Sequence, residues 1–196
     1  MAGGWAHIDE AGARRVLSEG HYLGHMPIAV ARPELRRRRC ELVEFHTLLA
    51  RTDELKRLGG MDPALLSSPE HVDLCLMVHE AGGAVYVEPS SIVTYLAPRE
   101  LTLSDLRYYL LRWSVEWHVS SLRHFQAKWR LPADDPFLVE HFAWLESRRT
   151  DAWNHWRRRL HRVLGESAGS AIEARIEQLV MGRPPDHRTL TALRAL

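Results

Sequence analysis

The stretch that decides the fold is GGMDPALLSSPEHVDLCLMVHEAGGAVYVEP, residues 59–89. Ser68 and Pro69 predict the start of a helix in its middle, because serine is a good N-cap and proline suits the first helical position. We expect this helix to run to about Ala81, and Gly82 to end it in the left-handed conformation. The stretch therefore predicts one well-delimited helix followed by extended chain.

Helices and strands are also predicted on both sides of this helix. Residues 9–19 predict a short helix that Gly20 closes, and 53–58 predict another that Thr52 caps. Three segments rich in apolar and β-branched residues predict strands, and these are 40–50, 84–88 and 91–96.

The pattern changes to helix in the second half of the chain. From about residue 103 apolar side chains recur at helical spacing, and further helices are predicted after Pro136 and after Gly169. We therefore expect an α/β domain at 1–98 and a helical extension at 99–196. Three strands are too few for a closed sheet, so the α/β domain is expected to hold part of a larger one.

Composition excludes several classes of protein. The 196 residues carry 26 basic and 25 acidic side chains, a net charge of +1, which argues against a strongly electrostatic binder of nucleic acid or of membrane surfaces. No apolar run reaches the roughly 18 residues of a transmembrane segment, and the start lacks the apolar region of a secretory signal. Cys40 and Cys75 are expected to be free thiols in a reducing compartment. These features predict a cytoplasmic protein.

Five short motifs follow one another between residues 40 and 98. In chain order they are a strand leading to Arg51, Gly-Gly-Met-Asp at 59–62, Glu-His-Val-Asp-Leu at 70–74, Ala-Gly at 81–82, and a strand leading to Pro89. Together they resemble the second half of the nucleotide-sugar-binding domain of family 2 inverting glycosyltransferases, which have the GT-A fold. The resemblance implies a partial GT-A mixed sheet with an α-helical C-terminal extension.

The resemblance also implies an activity and its partners. The activity is transfer of a sugar from a nucleotide-sugar donor to a hydroxyl of a carbohydrate or glycan acceptor, with inversion. The family's first half carries the nucleotide-binding strands and an Asp-x-Asp that holds a divalent metal, and no Asp-x-Asp occurs in this sequence. We therefore expect no metal site or cofactor in this chain, Mg or Mn only in a longer version with that motif, and an inactive isolated chain. Met1 is then expected to be an internal start or a fragment boundary.

By the resemblance, Glu70, His71 and Asp73 are the candidate catalytic residues. The family's usual base is an aspartate at the position of His71, and a metal-binding histidine of the family corresponds to Tyr95 here. The first turn of a helix stabilises an ionised Glu70 and disfavours a protonated His71, and a neutral imidazole can accept a proton. The base is His71 or Glu70, with Asp73 in support. The alternative is that these are ordinary first-turn residues of a helix.

Arg112 and Trp113 are the candidate acceptor-binding residues. They resemble an arginine–tryptophan pair near the acceptor channel of processive family members. Tryptophan faces stack on sugar rings and arginine can bridge a diphosphate. We expect an exposed Arg112 beside Glu70, and for Trp113 the alternative is a core position.

Other classes of enzyme find no support in the sequence. The 12 histidines include no His-Glu-x-x-His arrangement, and the nucleophile-elbow, Walker and dinucleotide-binding motifs are absent. The remaining alternative is a non-catalytic remnant or binding module that pairs with another chain. A half-sheet leaves a strand edge exposed, which favours self-association.

Overall fold

The computed structural model describes residues 3–11, 14–96, 103–151 and 154–181. Within these ranges the chain is mixed α/β, as expected, with two small two-stranded antiparallel sheets. In chain order the elements are β1 Gly4–Ala11, β2 Arg14–His21, α1 Ile28–Ala31, a 3₁₀ turn Arg32–Glu34, β3 Arg38–Cys40, α2 Thr52–Arg57, α3 Glu70–Glu80, β4 Val85–Val87, α4 Leu103–Arg112, α5 Val115–Trp129, α6 Pro136–Asp151, α7 Asn154–Leu164 and α8 Glu166–Met181.

The first sheet is a hairpin of β1 and β2, so the helix predicted at 9–19 is wrong. Ala6 pairs with Glu19 across the hairpin, and Trp5 pairs with Gly20. A side chain at Gly20 would collide with the indole of Trp5, because a Cβ there would lie 2.1 Å from that ring. The glycine permits the close cross-strand approach rather than ending a helix.

The second sheet joins β3 and β4, and it confirms one of the three predicted strands. Segment 84–88 contains β4. The strand predicted at 40–50 is wrong, because β3 ends at Cys40, where the prediction began. Beyond it, Leu42 is held by backbone hydrogen bonds with Gly4. The strand predicted at 91–96 is wrong, because the segment pairs with no strand of the described chain. Apolar and β-branched residues alone do not make a strand without a partner.

The two helices predicted around the Gly-Gly turn are confirmed. α2 begins one residue earlier than predicted, and its N-cap is Arg51 rather than Thr52. α3 follows Pro69, which takes the N-cap position without a capping side-chain hydrogen bond, so the cap expected from Ser68 is wrong. Gly82 has a φ of 73° and ends the helix as predicted.

The helical half is divided differently from the prediction. Ser114 accepts a hydrogen bond from the backbone N–H of Trp117 and caps α5, so α4 and α5 are separate helices. α6 begins at Pro136 as predicted, whereas α8 begins before Gly169. No helix among the described residues is long and apolar enough to cross a membrane.

One hydrophobic core draws on both halves of the chain. α3 contributes its buried face, and the hairpin and helices α5 and α6 pack around it, so the described part of 99–196 shares its core with 1–98. The buried residues of this core include Ala6, Leu17, Leu42, Val72, Cys75, Leu76, Leu122, Phe125, Trp129 and Phe137.

Candidate functional site

Three histidines surround one carboxylate beside the start of α3. Nε2 of His21, at the end of β2, lies 3.0 Å from Oε1 of Glu44. Nε2 of His71, in the first turn of α3, lies 3.8 Å from the same oxygen, and Nδ1 of His46 lies 3.9 Å from Oε2. We call Glu44, His21, His46 and His71 the Glu44 cluster.

The Glu44 cluster is half-buried, and aromatic rings border it. The side chains of His71 and Glu44 are 16% and 23% exposed. Phe45 meets the ring of His71 edge-on at 6.1 Å, and Tyr95 meets the ring of His46 edge-on at 4.7 Å. Tyr95, which the resemblance places at a family metal position, therefore borders the same cluster as His71.

Two histidines beside Glu44, His21 and His71, have pKa shifts of opposite sign. The hydrogen bond with Glu44 raises the pKa of His21, and the same bond lowers the pKa of Glu44. Burial lowers the pKa of His71, although the charges of Glu44 and Glu70 oppose that effect. The arrangement thus favours the ionised form of Glu44, the protonated form of His21 and the neutral form of His71.

Glu19 adds a second unusual carboxyl next to this cluster. Burial raises its pKa to about 7, with a smaller contribution from the negative charges of Glu44 and Glu140 and an opposing effect of His21. A carboxyl with this pKa can hold or release a proton near neutral pH. The cluster and Glu19 together have the perturbed acid and base groups that are typical of active sites.

Arg112 lies beside Glu70, as the sequence predicted. Its Nη2 lies 3.2 Å from Oε1 of Glu70, and its Nη1 donates to the backbone oxygen of Ser67. The expectation of an exposed Arg112 is wrong, since its side chain is 25% exposed and has two partners. The guanidinium also lies 5.0 Å from the ring centre of Trp113.

Trp113 is partly buried at the junction of α4 and α5. Its ring meets that of Trp144 edge-on at 5.1 Å, and it packs against a small apolar cluster of Val115 and Val119. This position combines features of both sequence interpretations, because the ring supports local packing and is not fully buried.

Asp73 belongs to the core rather than to the Glu44 cluster. It is 2% exposed, and its two oxygens accept from Nε1 of Trp129 and Nζ of Lys128, each at 2.8 Å. Nζ of Lys128 also lies 3.0 Å from Asp62, which pairs with His124 at 2.9 Å. We call these five residues the Lys128 network.

The Lys128 network explains the aspartate of the Gly-Gly-Met-Asp turn. Burial tends to raise the pKa of Asp62, but hydrogen bonds from His124, the Ala64 N–H and Lys128 outweigh it and lower the pKa to about 2. Asp62 thus remains ionised and ties the turn to α5. Asp62 and Asp73, the aspartates of two of the sequence motifs, therefore have structural roles.

Sequence reasoning missed Glu19, His21 and Glu44. Glu44 lay in a predicted buried strand, and Glu19 and His21 lay in or beside a predicted helix. The available signal was the acidic residue inside the apolar segment 40–50, because a buried carboxylate needs a partner.

The residues of the site do not fit the Mg²⁺ or Mn²⁺ that the resemblance implies for a longer version of the chain. Mg²⁺ and Mn²⁺ prefer several oxygen ligands, whereas Glu44 is surrounded by imidazole nitrogens. Among the described residues no group of three or more histidine, cysteine, aspartate or glutamate side chains is arranged to hold a metal ion. No family model matches the chain, and no curated protein or solved structure matches it significantly.

Proposed function

We propose that this chain is the acceptor side of an inverting glycosyltransferase with a GT-A type of fold. The observation that carries the proposal is the ion pair of Glu70 and Arg112, which are 42 positions apart in the sequence. The motif order assigns Glu70 to catalysis and Arg112 to acceptor binding, and the two side chains meet beside His71. An arrangement of this kind suits an acceptor hydroxyl held next to a base.

Within the proposal His71 is the base that takes the proton of the acceptor hydroxyl. Burial lowers the pKa of His71, so its imidazole is free to accept a proton at neutral pH. Glu70 is already engaged by Arg112, which favours an orienting role for that carboxylate. Trp113 would offer its accessible ring to a sugar face.

The GT-A part of the proposal rests on the order of motifs. Residues 1–98 would correspond to the second half of such a domain, although the observed sheets are smaller than the half-sheet expected. The nucleotide and the metal would then be bound by residues outside this chain, with Mg or Mn at an Asp-x-Asp.

Calorimetry with nucleotide sugars tests whether the donor site lies outside this chain. UDP-, GDP- and dTDP-sugars, each with manganese, are expected to show no micromolar binding to the chain, because no group of described residues is arranged to hold the divalent ion that neutralises a diphosphate. Micromolar binding to the chain would contradict the proposal that the donor site lies elsewhere.

Substitution of His71 tests the assignment of the base. In a transferase that contains this chain, His71→Ala should lower turnover by roughly 10²–10⁴-fold, the usual contribution of a positioned base. His71→Asp should retain activity, and His7→Ala, a partly exposed histidine of β1, is the matched control. Normal turnover of His71→Ala beside an inactive Glu70→Gln would assign the base to Glu70.

A second candidate function is that of a non-catalytic module that pairs with another chain. The observation in its favour is segment 91–96, where Tyr95 and Leu96 are 69% and 84% exposed and no described strand pairs with the backbone. Concentration-dependent sedimentation that disappears on Leu96→Ser would support this candidate.

A further inference from the structure

We propose that Glu44 is the positioning residue of His71, and that His21 of the hairpin completes a His–Glu–His unit with them. Glu44 holds the imidazole proton on Nε2 of His71 and so leaves the lone pair of Nδ1 to take a proton. The catalytic part of this inference rests on the proposed function, whereas the coupling of the three side chains does not.

The geometry of Glu44 carries the inference. A single oxygen, Oε1, faces Nε2 of both histidines, at 3.0 Å from His21 and 3.8 Å from His71. The longer distance exceeds a hydrogen bond, but catalytic contacts of this kind often shorten when substrate binds. Because His21 ends β2 and His71 begins α3, one carboxylate couples the hairpin to the first turn of the helix.

The other nitrogen of His71 is free to react. No described residue hydrogen-bonds Nδ1 of His71, and the buried side-chain nitrogens without a hydrogen bond in the described chain are Nε of Arg15 and Nε of Arg157. Nδ1 of His71 therefore reaches solvent. A carboxylate on one nitrogen and an open lone pair on the other is the arrangement that selects a basic tautomer.

The charges around His71 keep the unit ready to accept a proton. Glu44 and Glu70 favour the imidazolium, while His21 and His46 disfavour it, as does burial. His141 of α6 interacts with His71 as well, and burial holds its own pKa at about 4. His21 and His71 face the same carboxylate but have pKa values shifted in opposite directions, so they are suited to different protonation states at one pH.

The proposed reaction couples a proton transfer to a substitution at the anomeric carbon of the donor sugar. The acceptor oxygen forms a bond to the anomeric carbon of the nucleotide sugar, and its proton passes to Nδ1 of His71. The bond from the anomeric carbon to the diphosphate breaks, and the nucleoside diphosphate leaves with the electron pair. Glu44 stabilises the imidazolium that forms, without itself taking the proton.

Histidine titrations by NMR test the coupling in this chain without any substrate. Glu44→Gln should lower the pKa of His71, because it removes the nearest negative charge. His21→Gln should raise it, because it removes a positive charge and leaves Glu44 less neutralised. Glu41→Gln is the matched control, since Glu41 pairs with His7 outside the cluster, and it should leave His71 unchanged.

The opposite signs keep the test decisive even if one variant folds poorly. If His71 titrates as in the wild type in each of the two variants that folds, the positioning role is overturned, and the proposed function is unaffected. In a transferase containing this chain, Glu44→Gln should lower kcat by roughly 10²-fold, the lower end for a positioned base, with KM nearly constant. The acidic limb of its pH profile should move to lower pH. If the wild-type enzyme transfers no sugar, the proposed function is overturned, and the titration result still stands.

Discussion

Two groups of charged side chains meet α3, and they differ in how completely their polar atoms are paired. In the Lys128 network both oxygens of Asp73 are occupied, and Lys128 bridges Asp73 to Asp62. In the Glu44 cluster, His71 makes no described hydrogen bond, and the neighbouring Glu19 has a pKa of about 7. The first group has its carboxylates fully paired, while the second includes titratable groups without a hydrogen-bond partner among the described residues.

This difference separates a structural from a functional role for residues of one motif. Glu70, His71 and Asp73 all lie in the first turn of α3, yet Asp73 enters the core and His71 remains partly exposed. Fully satisfied buried polar groups rigidify a fold, whereas perturbed and unsatisfied ones cluster at functional sites. The comparison therefore predicts large stability effects in the Lys128 network and effects on protonation in the Glu44 cluster.

The largest expected effect is loss of stability on breaking the Lys128 network. Lys128→Met should lower the free energy of unfolding by about 3 kcal/mol, the lower end for a broken buried ion pair, because Trp129 still donates to Asp73. The measurement is urea denaturation at neutral pH. Lys56→Met is the matched control, because Lys56 is the other lysine of the chain and lies exposed on α2.

The control should change stability by no more than about 0.5 kcal/mol, as for most surface substitutions. If Lys128→Met is as mild as Lys56→Met, the Lys128 network is not a structural centre, and the contrast with the Glu44 cluster fails.

A smaller effect is expected from Glu19, and it depends on pH. The folded chain holds the Glu19 proton up to about pH 7, whereas the unfolded chain releases it near 4.5. The contribution of Glu19 to the free energy of unfolding should therefore fall as pH rises from 4.5 to 7 and then stay at the lower value. Glu19→Gln should remove this fall and be about 1–2 kcal/mol more stable than wild type at pH 8, after allowance for solvent screening.

Denaturation of wild type and Glu19→Gln at a series of pH values measures this difference directly. Glu10→Gln, an exposed glutamate of the same hairpin, should follow the wild-type curve. A difference between wild type and Glu19→Gln that is constant with pH would mean that the surroundings of Glu19 do not raise its pKa in the folded chain.

The parts of the fold that local chemistry determines could be predicted from the sequence. The proline before α3 and the left-handed Gly82 after it act within a few residues, so the bounds of that helix were predicted well. The family resemblance also led us to expect Arg112 beside the first turn of α3, where it pairs with Glu70. By contrast, segment 91–96 has the composition of a strand but no partner strand among the described residues, and pairing depends on the rest of the fold.

The hairpin was missed for a reason connected with the candidate site. The face of β2 that carries buried Leu17 also carries Glu19 and His21, where a regular strand would present apolar residues. These polar residues break the period of two on which strand prediction depends. The residues that form the site are thus the ones that obscured the strand, as expected where function overrides a local rule.

The smallest expected effect concerns a third group, His161 between α7 and α8, and it refines the comparison. Nδ1 of His161 lies 2.8 Å from Glu166, and Nε2 lies 3.0 Å from Glu173. Both nitrogens are paired, as in the Lys128 network, so we expect a structural role. The hydrogen bond with Glu166 raises the pKa of His161; desolvation opposes it, and the hydrogen bond with Glu173 adds to the rise.

The sign of the pH dependence follows from that raised pKa. The stabilisation of the α7–α8 pair is fully present below about pH 6.5, the usual pKa of histidine, and is lost as pH rises through the higher pKa of the folded state. Protection of α7 and α8 amides from hydrogen exchange, corrected for the intrinsic effect of pH, should therefore decrease above pH 6.5. His161→Gln should abolish that dependence while leaving protection in α3 unchanged. Equal protection in wild type at pH 6 and pH 8 would show that pairing both nitrogens of a histidine does not by itself give it a structural role.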